Sequence, residues 1–266
     1  MYLKTTSTIN SHTPLPTPHT RYNPLMLQTL SLIGRETARI VLHASCVVCD
    51  GELPWRARKA SCCEACWSSL PQIPATRCRF CAAPWSGNDP GYVCGSCLAT
   101  PPPVEWTEAW GCYRGSLEKV LHAFKFKRHD FFAAPLAELV ESVIRERGDL
   151  DFDAVVPVPM HRAKLRRRGY NQAELLARAL SRRIGVRCET ALLTKTRDSG
   201  AQSRLARNER AANVRDAFRA STRAASRRIL LVDDVITTGE TIRACAHALS
   251  DAGAKRTAAA VVAKTE

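Results

Sequence analysis

The sequence predicts an α/β parallel-sheet domain preceded by a small cysteine-rich module, and three observations lead there. Ile229 to Val232 form an unbroken apolar run, the pattern of a strand covered on both faces of a parallel sheet. Segments of helical and strand length alternate upstream: 116–126 and 131–147 read as helices, Phe152 to Val158 as a short strand, and a further helix runs to about Ile184. Eight cysteines fall into four C-x-x-C pairs between Cys46 and Cys97.

Composition narrows the classes. A chain of 266 residues, 45% hydrophobic, can bury a substantial core and divide into two domains. No run approaches the ~18 apolar residues of a membrane span. The formal charge of +14 is concentrated: residues 161–228 hold 19 Lys+Arg against 5 Asp+Glu, and the rest of the chain balances 20 against 20. Such a segment suits phosphate, in nucleic acid, nucleotide or pyrophosphate; a solvated Arg-rich surface is the plainer alternative.

Residues 1–24 are rich in Thr, Ser, Pro and Asn and offer little to bury, and 25–42 carry enough Leu, Ile and Val for an amphipathic helix. Residues 1–43 are therefore read as a disordered tail with a short helix. Gln28, Thr29 and Ser31 interrupt the apolar stretch and no small-residue cleavage site follows, which favours a cytoplasmic protein over a secreted one; Met26 offers an alternative start.

The pairs Cys46/Cys49, Cys63/Cys66, Cys78/Cys81 and Cys94/Cys97 carry the next signal. Two residues between thiolates let both sulfurs reach one tetrahedral ion, and two pairs complete a four-sulfur structural zinc site. Sequential pairing into two sites is preferred to interleaving, Cys63 to its neighbour Cys62, and zinc to disulfides, given no secretory signal. A closed site of this kind performs no catalysis. All five tryptophans (Trp55, Trp67, Trp85, Trp106, Trp110) lie in or just after the module, where packing outweighs base stacking as their role. Pro101 to Pro103 mark a stiff boundary, giving a ribbon module over 44–100 and a second domain over 104–266.

In the second domain, the strand ending at Pro157, Val158, Pro159, Met160 and His161 leads into a basic turn with Lys164, Arg166, Arg167 and Arg168. Ligands of open α/β sheets bind beyond the carboxyl ends of strands, so this turn belongs on the same rim as Asp233 and Asp234, where the apolar strand runs out. After Val235 and Ile236, the hydroxylic stretch Thr237, Thr238, Gly239, Glu240, Thr241 opens a helix to Ala252. A helix start of this kind holds phosphate on backbone N–H groups while the acids face sugar hydroxyls or a metal. Residues 195–213, with Lys195, Arg197, Arg204, Arg207 and Arg210, read as a long polar connection suited to a lid. Cys112, Cys188 and Cys245 lack partner spacing and read as ordinary buried residues. Of the histidines, His161 stands nearest the expected site, with a packing role at least equally open.

The run ILLVDDVITTGET resembles the phosphoribosyl-pyrophosphate signature of type I phosphoribosyltransferases. Together with VPVPMHRAKLRRRGYNQAELLARAL, QSRLARNERAANVRDAF and the upstream C-x-x-C pairs, the chain is similar to the ComF/GntX family of competence-associated proteins across roughly residues 44–264. The resemblance implies a type I phosphoribosyltransferase-like domain behind a double zinc ribbon. It implies that Asp233 and Asp234 bind ribose hydroxyls, that Thr237, Thr238, Gly239, Glu240 and Thr241 cradle the 5′-phosphate, and that Val235 and Ile236 belong to the same donor-binding stretch. Pro157, Val158, Pro159 and Arg168 would lie by the pyrophosphate with Lys125 in reach, and magnesium would bridge pyrophosphate and ribose oxygens. The implied activity is phosphoribosyl transfer to an unidentified acceptor in DNA uptake. A second reading is a non-catalytic protein that handles single-stranded DNA or contacts DNA-uptake proteins and uses the same site as a ligand sensor. Glu240 departs from the family pattern, where a small residue is commoner; pointing to solvent it suits a helix start, and pointing inward it would oppose phosphate.

Overall fold

The computed structural model describes residues 45–53, 61–89, 91–126, 130–197 and 217–265. The expectations for residues 1–43, for Trp55 and for most of the 195–213 connection lie outside them. Ala44 to Glu266 form one compact unit.

The cysteine-rich half contributes two short helices, α1 (Glu64–Ser68) and α2 (Gly95–Ala99), each starting directly after a cysteine. The remainder alternates as expected: β1 (Thr107–Cys112), α3 (Gly115–Phe126), α4 (Ala133–Arg147), β2 (Ala154–Pro157), α5 (Arg162–Arg168), α6 (Gln172–Ile184), β3 (Leu193–Lys195), β4 (Phe218–Ala220), β5 (Arg228–Ile236), α7 (Glu240–Asp251) and β6 (Arg256–Lys264). Four strands form a parallel sheet in the order β1-β6-β5-β2, and β3 and β4 form a separate antiparallel pair.

Alternation along β5 explains why the sheet is covered twice. Leu230 and Val232 enter a cluster with Leu117, Leu121 and Phe124 of α3, Leu136 and Val140 of α4, and Leu176 and Leu180 of α6. Ile229 and Leu231 face the opposite cluster, with Ile242, Cys245 and Leu249 of α7 and Leu193 and Phe218 of the hairpin. A strand buried on both faces has no polar side, hence the continuous apolar run.

Three expectations are refined. The β5 strand does not run out at the acids; it continues to Ile236, paired with β6 from Arg228↔Arg256 to Ile236↔Lys264. The basic turn is a short helix, α5, capped by His161 at one end and by left-handed Gly169 at the other. Cys112 and Cys245 are buried, but Cys188 is only half-buried.

The ribbon module is seated on this domain. Gln72 bridges antiparallel to Gly111, with Cys112 N donating to Pro71 O at 2.9 Å and Ile73 N to Trp110 O at 3.1 Å, so ribbon backbone covers the β1 edge. Glycine is required there: a Cβ on Gly111 would stand 2.6 Å from Pro71 O. Trp67 stacks on Phe132 at 6.3 Å, and Trp106, 2% exposed, meets Phe152 edge-on at 5.9 Å. These tryptophans pack, as expected.

Candidate functional site

Two kinds of site emerge, and their chemistry differs. The first comprises two sulfur clusters. Cys46, Cys49, Cys63 and Cys66 bring their sulfurs within 4.8 Å of one another, and so do Cys78, Cys81, Cys94 and Cys97. Pairing is sequential, and Cys63 is the ligand. Cys62 is no member of the cluster, and its thiol lies 3.6 Å from Cys63 O. For Cys46, burial alone would raise the thiol, but N–H groups of Cys63, Cys49 and Val48 overcome it and hold the thiol down at about 6. Cys63 N lies 3.4 Å from Cys46 Sγ, and in the second cluster Cys94 N lies 3.3 Å from Cys78 Sγ. Four sulfurs with backbone N–H support fit structural zinc, with no position left open for a substrate.

The second site is a cavity of about 510 Å³ at the carboxyl end of the sheet. Because β2 and β5 run parallel with Pro157 opposite Val232, the first residue after β2 comes to rest beside the acids; Val158 N donates to Val232 O at 2.9 Å. Asp233 and Asp234 open into this cavity, and Lys125, Lys164, Arg168 and Lys195 approach from α3, α5 and β3. Four cations thus face two carboxylates, a net positive cavity. Lys164 records the crowding: desolvation and then the charges of Arg168, Lys195 and Lys125 lower its pKa.

Lys125 Nζ stands 3.2 Å from Asp234 Oδ2, with both side chains mostly covered. That oxygen is buried and receives no aligned hydrogen bond, so Lys125 offsets its charge without occupying its lone pairs. Asp233 Oδ1 accepts from Asp234 N at 2.8 Å, yet burial and then the Asp234 carboxylate push Asp233 up to about 8. Two adjacent acids that resist ionising together suit a ligand bringing hydroxyl donors or a cation.

Supporting residues fix these groups. Arg168 Nη1 donates to Gln172 Oε1 at 2.7 Å, and Gln172 Nε2 donates to Lys125 O at 3.2 Å, tying α6 to α3 across the cavity. Asn171 caps α6 and donates to Val158 O at 3.0 Å. The turn after β5 passes Gly239 at φ +83, a left-handed conformation that favours glycine, before α7 begins.

Of the expected site residues, Lys125, Val158, Pro159, Arg168, Asp233, Asp234 and Thr241 line the cavity. Pro157 lines a neighbouring hollow of about 490 Å³. Val235 and Ile236 are strand residues whose side chains pack against opposite clusters, so only their backbone is placed to serve a ligand. Thr237, Thr238 and Glu240 are exposed on the turn. Glu240 therefore sits in the first helical turn facing solvent, where an acid suits the helix dipole. Of the basic turn's Lys164, Arg166, Arg167 and Arg168, only Lys164 and Arg168 line the cavity. Tyr113, Phe126, Gln172 and Lys195 also line it. The i,i+4 spacing of Lys164 and Arg168 was a readable signal for one shared helical face; nothing local marks Tyr113, which the β1–β6 pairing brings in.

Residues 127–266 match the Phosphoribosyl transferase domain family, and residues 37–98 match the Double zinc ribbon domain family. The chain is 32% identical to DNA utilization protein YhgH of Escherichia coli O6:H1 over 72% of its own length and 85% of the relative's. This chain belongs to the ComF family. Its similarity extends to Competence protein F of Haemophilus influenzae, 29% identical over 78% of this chain and 91% of that protein. Competence protein ComFC of Bacillus subtilis is 25% identical over 78% and 89%. The ComF-family protein thus joins a type I phosphoribosyltransferase fold to a double zinc ribbon. Among the described residues no helix is long and apolar enough to cross a membrane.

Proposed function

We propose that this ComF-family protein binds phosphoribosyl pyrophosphate with magnesium and transfers the phosphoribosyl group to a nitrogenous acceptor in the handling of incoming DNA. The observation that carries the reading is the convergence of Lys125, Lys164, Arg168 and Lys195 on the adjacent acids Asp233 and Asp234 in one cavity. A ligand carrying both polyanion and vicinal hydroxyls answers both features, whereas a simple anion leaves the acids unexplained.

In this reading the backbone of Thr237 to Thr241 holds the 5′-phosphate at the start of α7. Asp233 and Asp234 accept from the ribose 2′- and 3′-hydroxyls. Lys164 and Arg168 face the pyrophosphate, and Val158 and Pro159 shape the turn beneath it. The unsatisfied Asp234 Oδ2 and the raised Asp233 are oxygens that a divalent cation or hydroxyl would complete. Magnesium, when bound, neutralises leaving-group charge. As the anomeric C–N bond forms and the C–O bond to pyrophosphate breaks, positive charge grows on the ribose and negative charge on the departing group. The acids oppose the first, and Lys164 with Arg168 the second.

The names of the relatives, DNA utilization and competence proteins, support a DNA-associated role, and the basic 161–228 segment supports contact with a phosphate backbone. A reducing, cytoplasmic setting suits eight thiolates held for zinc. The test of transfer is pyrophosphate release from the donor across a panel of nucleobases and single-stranded oligonucleotides. Release with one acceptor, lost in Asp233→Asn/Asp234→Asn, is the expected result; donor binding without release for any acceptor would leave a ligand sensor and overturn the transfer step.

A further inference from the structure

The two zinc knuckles sit on opposite faces of the sheet and touch different machinery. The first, around Cys46 and Cys63, joins the cluster of α3, α4 and α6: Lys119 of α3 donates to Val48 O at 2.7 Å, and Ser116 donates to Ser69 O at 3.2 Å. The second, around Cys78 and Cys94, meets the start of α7. A Cβ built on Gly239 lies 3.7 Å from Cys81 Cβ, so the knuckle carrying this thiolate forms a wall of the turn. One turn along, Arg243 donates to Thr100 O, just beyond the helix that carries Cys97. Phe80 packs both against the second sulfur cluster and against the core cluster containing Ile236 and Ile242.

Little else within the turn fixes its shape. Thr237, Thr238 and Glu240 are exposed, and the side-chain bond within it, from Glu240 N to Thr238 Oγ1, is long at 3.4 Å. The wall, in contrast, is anchored. Thr107 N donates to Arg79 O and Thr107 Oγ1 to Phe80 O, each at 2.8 Å, and Ala82 is fully buried at φ +56. The Cys78–Cys81 loop is joined to the Cys94–Cys97 loop by the shared sulfur cluster, by Arg79 N donating to Tyr92 O at 3.0 Å and by Trp85 stacked on Tyr92 at 4.4 Å; of these, the metal is the link that can be removed.

We propose that the second zinc knuckle sets the conformation of the Thr237–Thr241 turn, with Cys81 and Phe80 as positioning residues, so that filling this one cluster governs phosphate binding at α7. The effect on affinity rests on the phosphoribosyl reading above; the effect on the turn itself does not. Linkage is reciprocal: a ligand that selects the ordered turn also tightens metal in the second cluster and leaves the first unchanged.

Backbone amide exchange in the full-length protein tests this. In Cys94→Ser, which removes a half-exposed ligand of the second cluster, amides of 237–241 exchange roughly tenfold faster or more. In Cys49→Ser, which removes an exposed ligand of the first cluster, they keep the wild-type rate. Cys94→His retains a four-ligand zinc set and restores slow exchange. Protection of β6 amides in every variant reports that the fold persists. Unchanged exchange in Cys94→Ser, equal acceleration in Cys49→Ser, or no rescue by Cys94→His overturns the proposal. Should Cys94→Ser lose β6 protection, wild-type protein loaded with ¹¹³Cd in both clusters replaces it, stripped stepwise by chelator. Acceleration at 237–241 that follows the second-cluster resonance supports the proposal, and acceleration that follows the first, or none, overturns it; Cys49→Ser assigns the two lines. Ribose 5-phosphate binding measured alongside separates the two claims: if wild type does not bind it, the phosphoribosyl reading falls while the exchange data still decide the coupling.

Discussion

Replacing Asp233 with Asn probes the strain in the acid pair directly. The folded protein holds a proton on Asp233 up to about 8, because the half-buried carboxyl is stripped of much of its hydration and Asp234 lies next to it. The unfolded chain releases that proton near 4. Between these values the folded state binds more protons than the unfolded state, so this group's contribution to stability falls as pH rises and levels off above the folded pKa. Three pH units at full linkage amount to about 4 kcal/mol, and coupling to Lys125 and Asp234 brings the expected effect to about 2–3 kcal/mol. Asn keeps the Oδ1 that accepts from Asp234 N. Asp233→Asn should therefore gain about 2–3 kcal/mol on wild type between pH 5 and pH 8. The assay is urea unfolding of both proteins at several pH values, zinc present and magnesium absent, with the difference between the two curves cancelling groups common to both. A difference that stays flat with pH, or favours wild type at pH 8, would refute the reasoning.

Other consequences follow from the same contacts. Lys125→Met strands the covered Asp234 carboxylate and should cost about 2–3 kcal/mol at pH 8, a loss that Asp234→Asn in the same chain largely recovers in a double-mutant cycle. Gly111→Ala places a methyl against Pro71 O and Leu117, and should cost about 1–3 kcal/mol in thermal or urea unfolding as the ribbon backbone is forced off the β1 edge. Because hydroxyl binding needs the ionised acid, affinity for phosphoribosyl pyrophosphate should fall roughly tenfold per pH unit below the Asp233 pKa, with proton release on binding at pH 7 seen by calorimetry in buffers of different ionisation enthalpy.

How much the sequence disclosed depended on whether a signal was local. The C-x-x-C spacing gave both sulfur clusters, since two thiolates from one tight turn meet one ion whatever the rest of the fold does. Helix limits in 115–126 and 172–184 were readable from the apolar period, and in the second helix Asn171 and Gly185 cap the two ends. The strand β6 was not: Ala258 to Ala260 favour helix by intrinsic propensity, and only their place at the centre of the sheet, between β1 and β5, makes them strand. The continuation of β5 past Asp233 was hidden for the same reason, since β6 supplies the pairing. Lys125 and Arg168 were legible as cations near the rim, but Tyr113 and Gln172 enter the cavity through tertiary packing alone. The contact of Gly239 with Cys81 joins residues far apart in the chain and has no counterpart in either local motif.

The central claim is that the acid pair and the four facing cations form one binding site for phosphoribosyl pyrophosphate. Calorimetric titration of the full-length protein with this compound, with and without magnesium, tests it most directly. The account predicts saturable, magnesium-dependent binding at pH 8 that weakens about a hundredfold or more in Asp233→Asn/Asp234→Asn, from the loss of charge-assisted hydrogen bonds. Absence of binding to wild type, or equal binding by the variant, would contradict it.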